Sequence, residues 1–465
     1  MTSTERANRK WWVLVAIGVG TFMSALDGSV VNTTLPVIRN AFGSDVATIE
    51  WVVTTYLLTV SGLLLSVGRL GDLRGHKQVY ITGFVVFLLS SALCGMAPTA
   101  AALVGFRGIQ AVGAAMLAAN SPAILTKNFP ASQRGRALGL QATMTYLGLT
   151  TGPALGGALA GWLGWRAIFY INVPVGAVDL ALSARFIPSD TATERRERFD
   201  LSGALSFLVG LVLLLLALNQ GHAWGWISPL LVTTVAASAL ILALFLYIEG
   251  RVPDPMLDLA LFRRRLFSTS AASAVLNYVC LYGITFLLPF YLIQGRGLAT
   301  AQAGLILTAQ PVIMAIAAPI SGTLSDRVGS RILSTAGMAI LGLGLFLLSR
   351  LGPETPLSHV VAALAVAGLG IGIFISPNTS ALMGAAPRAR QGIAAGIMAT
   401  ARNLGMVLGV GLAGAIFTTV LSRAGSSATA SLSQTLALYD AVHASFLVAA
   451  GVAALGVVVS AVRGR

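Results

Sequence analysis

The chain has 465 residues, 56% hydrophobic and only 10% charged, with a formal net charge of +14. About a quarter of the residues in an ordinary soluble domain are charged, so this composition excludes such a domain and fits a bundle that spans a bilayer. The basic excess raises polynucleotide binding as a possibility, which the placement of the charges then decides.

Helical runs of about 20 apolar residues are long enough to cross a hydrocarbon core. Fourteen such spans are predicted, at residues 12–35, 49–69, 78–97, 100–125, 136–162, 168–187, 201–219, 227–249, 268–293, 301–324, 332–350, 357–385, 391–420 and 441–462, which makes an all-α integral membrane protein. The first run is full length and carries Asp27 rather than a small-residue cleavage site, so no cleavable signal peptide is expected. With the N-terminus inside, Arg6, Arg9, Lys10, Arg74, Lys77, Lys127, Arg134, Arg136, Arg195, Arg196, Arg198, Arg263, Arg264, Arg265, Arg327, Arg331, Arg388 and Arg390 share one side. The opposite loops hold only Arg39, Arg166, Arg296, Arg350 and Arg423. This bias predicts that both termini are cytoplasmic, and it accounts for the net charge without a nucleic-acid partner.

Between the second and third spans stands Gly68-x-Leu70-x-Asp72-x-x-Gly75, and between the tenth and eleventh Gly322-x-Leu324-x-Asp326-x-x-Gly329. Two copies at matched points of two similar hydropathy patterns predict a duplicated unit, the building principle of secondary transporters. The copies register only if two spans are extra. Spans seven and eight qualify, because the polar segments 189–200 and 251–265 bracket them. The expected organisation is a six-helix bundle at 1–188, an inserted pair at 189–267 and a second six-helix bundle at 268–465. In each signature Gly68, Gly75, Gly322 and Gly329 permit tight turns. Asp72 and Asp326 can accept hydrogen bonds from a helix N-terminus or from Arg74 and Arg327, an arrangement that would hold an inner gate shut.

Four motifs then follow in order. Span one reads Leu26-Asp27-Gly28-Ser29-Val30-Val31-Asn32-Thr33-Thr34-Leu35-Pro36, and span four Arg107-Gly108-Ile109-Gln110-Ala111-Val112-Gly113. Span five has Gly148-x-x-x-Gly152-Pro153-x-x-Gly156-Gly157, and after it comes Trp165-Arg166-x-x-Phe169-Tyr170-Ile171-Asn172-Val173-Pro174-Val175-Gly176. Nearly end to end, the chain resembles the fourteen-helix drug:proton antiporters of the major facilitator superfamily, with Ala111 where Gly is usual. The resemblance implies a major facilitator fold and a multidrug-efflux activity. It also implies that the span-five face of Gly148, Gly152, Pro153, Gly156 and Gly157 seals the route between the halves.

Asp27 lies about 22 Å into span one and Arg107 about 12 Å below the other end of span four, so in a core of about 30 Å their depths nearly coincide. A lone charge there costs about 2.5–3.5 kcal/mol on insertion scales, which predicts a pair or a wet cavity. Separating the two charges would favour the protonated carboxyl and uniting them the carboxylate, so the pair is expected to carry the coupled proton. A permanent structural pair is the alternative. Asp179 and Arg402 are the other intramembrane charges. Asp179 is expected to meet the inserted helices, Arg185 or headgroups rather than the cavity. Arg402 is expected to hold an anionic group or to pair with Asp27.

A substrate cavity would be lined by Trp51, Tyr56, Asn120, Gln141, Met144, Tyr146, Asn277, Tyr278, Tyr282, Gln310, Asn378 and Asn403, whose rings, amides and thioether suit bulky ligands. Span ten lacks an acidic residue, which disfavours dications and leaves hydrophobic monocations or neutral amphiphiles. Cys94 and Cys280 suggest neither a disulfide nor a metal site, and His76, His222, His359 and His443 have no ligand spacing. No phosphate loop or nucleophile constellation points to an enzyme, and no sensory domain or pore loop to a receptor or channel. The expectation is a monomeric bacterial cytoplasmic-membrane exporter of hydrophobic drugs or antibiotics. It would use the proton gradient in place of a cofactor; a lipid or a specific metabolite is the alternative cargo.

Overall fold

A computed structural model describes residues 3–44, 46–189, 199–225, 228–252, 255, 257, 259–298, 300–424 and 432–463. The predicted basic residues Arg195, Arg196 and Arg198 lie outside it, as do the side chains of Arg6, Asn32, Thr33, Pro36, Pro153, His222 and Arg423.

The long apolar runs form helices because a helix satisfies every backbone polar group within one segment, which a bilayer core demands. In chain order they are α1 (Ser3–Phe42), α2 (Val46–Arg74), α3 (His76–Met96), α4 (Ala100–Asn128), α5 (Arg134–Trp162), α6 (Asn172–Phe186) and α7 (Leu201–Trp224). The series continues with α8 (Pro229–Glu249), α9 (Arg265–Pro289), α10 (Ala309–Val328), α11 (Ser330–Ser349), α12 (Leu357–Ala385), α13 (Gln391–Ala424) and α14 (Leu432–Ala461). Every predicted span coincides with one of them. Thirteen are long and apolar enough to cross a membrane. The remaining one, α5, is 29 residues long but rich in Gly and Thr, which dilutes its hydropathy without shortening it. Among the described residues there is no β-strand.

Helices α1 to α6 pack together, as do α9 to α14. The two bundles repeat each other's contacts. A methyl group on Gly113 of α4 would come within 2.7 Å of the Gly83 carbonyl of α3, and one on Gly337 of α11 within 2.8 Å of the Gly370 carbonyl of α12. Small residues draw both pairs to backbone contact, the means by which helices associate where lipid supplies no hydrophobic drive. The inserted α7 packs on α8 and touches α2 and α13, one from each bundle. Phe207, Leu211 and Leu215 of α7 share one apolar cluster with Leu65 of α2 and Ile397 and Met398 of α13. On its other faces α8 is open, with Leu240 73% exposed, as a lipid-facing helix should be.

The repeated signature is mostly helix, contrary to the expectation of a loop. α2 continues through Arg74 and α10 through Val328, and the chain breaks only at Gly75 (φ +93°) and Gly329 (φ +87°), where a left-handed backbone suits glycine. Gly68 and Gly322 are not turn residues. Both signatures sit at the end of the molecule that gathers Arg74, Lys77, Arg134, Arg264, Arg327 and Arg388, hereafter the basic end.

Candidate functional site

Five helices of the first bundle meet at Asp27. α1 delivers the carboxylate, which is 2% exposed, and α4 brings Arg107, 1% exposed, with its Nη1 2.6 Å from Asp27 Oδ2. One turn along α4, Gln110 accepts a hydrogen bond from Arg107 Nη1 (2.6 Å) and donates Nε2 to Asp27 Oδ1 (3.1 Å) and to Ser91 Oγ of α3 (2.6 Å). Asn172, at the start of α6, donates Nδ2 to the same Asp27 oxygen at 2.8 Å. Tyr56 of α2 lays its ring 4.0 Å from the guanidinium, a cation-π contact, and Arg107 Nε reaches the Val52 carbonyl at 3.4 Å. The hydrogen-bonding partners of the carboxylate, Arg107, Gln110 and Asn172, all donate to it, a set that matches the acceptor oxygens of a carboxylate. Asp27 and Arg107 are together as expected. Tyr56, expected in a cavity wall, is instead the lid of the pair.

Gln110, Asn172 and Ser91 were not expected at the site. Gln110 was detectable as a polar residue one turn from Arg107 on the same face, and Asn172 as an amide opening an apolar run. Ser91 gives no such signal.

At the basic end the two signatures clasp opposite bundles. Asp72 Oδ1 accepts from the Gly392 amide (2.8 Å) and Oδ2 from Ile393 (2.9 Å), the first turn of α13. Symmetrically, Asp326 Oδ1 accepts from Gly135 (3.0 Å) and Oδ2 from Arg136 (3.2 Å), the first turn of α5. A carboxylate against free N–H groups at a helix start answers both the orphan donors and the dipole. Gly68 and Gly322 serve these contacts by close approach: a methyl on Gly68 would strike the Gly392 carbonyl, and one on Gly322 the Gly135 carbonyl. Arg74 and Arg327, the alternative partners, are exposed and contribute no bond to either carboxylate among the described residues. Asp72 also lies 3.3 Å from His76 Nε2, and His76 Nδ1 sits 2.8 Å from Asn120 Oδ1.

The span-five face differs from its expected role. Gly148 packs on Phe22 and Leu26 of α1 and Gly152 on Ser29 and Val30, so this face clamps the helix that carries Asp27 rather than sealing the halves. Gly156 is buried, and Gly157 is exposed with nothing near it. Contact between halves falls to other α5 residues: Gly139 against Ala318 and Pro319, and Thr143 Oγ1 donating to the Ala315 carbonyl at 2.8 Å.

The expected cavity residues divide. Tyr146 (α5), Tyr278 and Tyr282 (α9) and Arg402 (α13) converge from both bundles within electrostatic reach of one another. Arg402 pairs with no carboxylate among the described residues, because Asp27 is committed to Arg107. Beside it, Asn403 donates to Ser61 Oγ of α2 at 2.8 Å, while Gln141 reaches Thr21 Oγ1 (3.4 Å) and Met144 neighbours Gly18. Trp51, 40% exposed, instead opens a groove of about 430 Å³ between α2 and α7, lined by Thr55, Leu58, Leu208 and Val212. Asn120, Asn277, Asn378 and Gln310 are instead engaged in contacts between helices of the bundles. Asn120 belongs to the clasp, Asn277 is buried against Met338, Asn378 donates to the Ser270 carbonyl, and Gln310 lies buried against Gly368 of α12.

Asp179 also departs from expectation. It is 0% exposed, and α6 packs on α1 and α3 rather than on the inserted pair. Arg185 is exposed, with its guanidinium 5.9 Å from the Phe186 ring.

A model of the Major Facilitator Superfamily matches residues 17–262 and 270–464. The chain belongs to that superfamily. As a member it is a multi-pass membrane transporter. It is 35% identical over 454 residues to the riboflavin transporter RibZ of Clostridioides difficile, covering 97% of each chain. It is also 35% identical over 410 residues to the multidrug resistance protein Stp of Mycobacterium tuberculosis, 88% of this chain and 76% of that one. The human organic anion transporter MFSD10 shares the fold with a TM-score of 0.68 at 16% identity, over 97% of this chain and 99% of that one. Relatives named for riboflavin transport and for multidrug resistance thus resemble this facilitator to the same degree.

Proposed function

We infer that this transporter is a proton-coupled exporter of amphiphilic aromatic compounds, drugs or antibiotics among them, in a bacterial cytoplasmic membrane, with the basic end and both termini inside. The observation that carries the reading is Asp27, buried and bonded to Arg107, Gln110 and Asn172. A proton arriving from outside would neutralise Asp27, free Arg107 and let the α1, α4 and α6 contacts rearrange. The clasps at Asp72 and Asp326 would then open the inner side, where the proton leaves and cargo enters. With the clasps shut, the basic side is the closed one in this reading. Tyr146, Tyr278 and Tyr282 would stack cargo, and the unpaired Arg402 favours neutral or acidic molecules over cations.

The test is efflux of a dye and antibiotic panel from proteoliposomes with an imposed pH gradient. Wild type should respond to the gradient, while Asp27→Asn and Arg107→Ala should lose that response. Efflux by Asp27→Asn that still follows the gradient would overturn the coupling role.

A second reading, transport of a flavin-like metabolite, is favoured by the similarity to RibZ over 97% of both chains. Saturable riboflavin transport together with indifference to the drug panel would select it.

A further inference from the structure

The buried face of α6 is polar: Asn172, Gly176, Asp179 and Ser183 fall on one stripe. Its upper end, Asn172, is bonded to Asp27. Two turns along, about 10 Å, lies Asp179. Among the described residues neither of its carboxyl oxygens has a hydrogen-bond partner, and neither does Ser183 Oγ, one turn further along α6. Tyr80 of α3 lies within electrostatic reach of Asp179.

The charged and titratable groups of the helices packed on α6 are engaged elsewhere. On α1, Arg9 Nε donates to the Phe186 carbonyl at 3.1 Å, Lys10 Nζ to Gln133 at 2.7 Å, and Asp27 is held by Arg107. On α3, Lys77 Nζ binds the Ala184 carbonyl at 2.8 Å, His76 lies in the clasp, and Cys94 is beside Gln110. An ionised carboxylate with no cation and no donor, at zero exposure inside a bilayer-spanning bundle, is among the costliest arrangements a protein can hold. The group neutralises instead.

We propose that Asp179 is a second proton-carrying site, loaded in this clasped conformation and placed between Asp27 and the basic end. The inference rests on the proton-coupled reading above. Loading takes one proton from water on the outer side and leaves a neutral carboxylic acid. Unloading returns that proton to water on the basic side once the clasps part and water reaches Tyr80 along α3. Asp27 and Asp179 are then occupied in opposite senses in this state: the first is ionised and paired, the second protonated and unpaired.

Infrared spectra of the lipid-reconstituted protein test this without any cargo. Wild type at neutral pH should show the C=O stretch of a protonated carboxyl that Asp179→Asn lacks and Asp27→Asn retains. If that band is missing from wild type, or unchanged in Asp179→Asn, the proposal fails. Asp72→Lys combined with Asp326→Lys places ammonium groups on helix N-termini and cannot keep the clasps. There the band should be lost, and its persistence would make Asp179 a permanently neutral structural acid and overturn a carrier role. Absence of gradient-driven transport alongside a band that behaves as stated would sink the export reading alone. Gradient-driven transport with a silent Asp179 would sink this one alone.

Discussion

Asp27 is served by three donors from two other helices, and the donors differ in what they reveal. A hydrogen bond to a charged group contributes about 1.5–3 kcal/mol. Asn172→Ala removes the 2.8 Å bond from α6, so it should lower the unfolding temperature of the purified protein, measured by a thermal melt in detergent. It also takes a donor from the Asp27 carboxylate and loosens the tie between α6 and α1. Gradient-driven efflux should therefore weaken severalfold in Asn172→Ala, and unchanged gradient-driven efflux would refute the positioning role. At this scale the sequence was informative where a residue was costly. Asp27 and Arg107 stand out because charges are rare in apolar runs. Ser90 and Ser91 look alike, yet Ser90 bonds back to Val86 of its own helix at 2.6 Å while Ser91 joins the network, and only helix rotation separates them.

Among the helices, the decisive contacts are glycine to backbone. Gly68→Val would drive a branched side chain into the Gly392 carbonyl and force α2 away from α13. Spin labels at Arg74→Cys and Arg388→Cys, both exposed residues, should then report a longer distance than in the unsubstituted background, and transport should fall at least tenfold. Gly152→Leu acts elsewhere. It should separate α5 from α1 and impair coupling while leaving the label distance unchanged. The signature's four glycines read locally as turns, which holds for Gly75 and Gly329 alone. What Gly68 and Gly322 do depends on Gly392 and Gly135, which lie far along the chain and carry no marker of their own. The span-five motif misleads for the same reason: small residues announce close packing without naming the neighbour, which proved to be α1.

For the whole molecule, apolar runs of about twenty residues located the long helices, even α5, whose Gly and Thr dilute its hydropathy. The interlocking of the halves was only half legible, since the acceptors Asp72 and Asp326 were evident and their donors were not. The repeat relates the two clasps, so they should be energetically alike. Removing a helix cap costs about 1 kcal/mol, roughly a fivefold change in an equilibrium. Asp72→Ala and Asp326→Ala should each raise the basic-side-open population by about that factor, and the double variant by about the product, roughly 25-fold, because distant sites add. Strongly unequal single effects measured by label distances would show that one clasp dominates.

The clasps bind main-chain amides, and this gives them an unusual hereditary security. Side chains at Ile393 and Arg136 can drift freely without deleting a donor, since every residue but proline supplies the same N–H. The vulnerable letters of each lock are its carboxylate and the facing glycines, Gly68 and Gly392 or Gly322 and Gly135, and the carboxylate is the one through which evolution could retune how long the transporter faces each side.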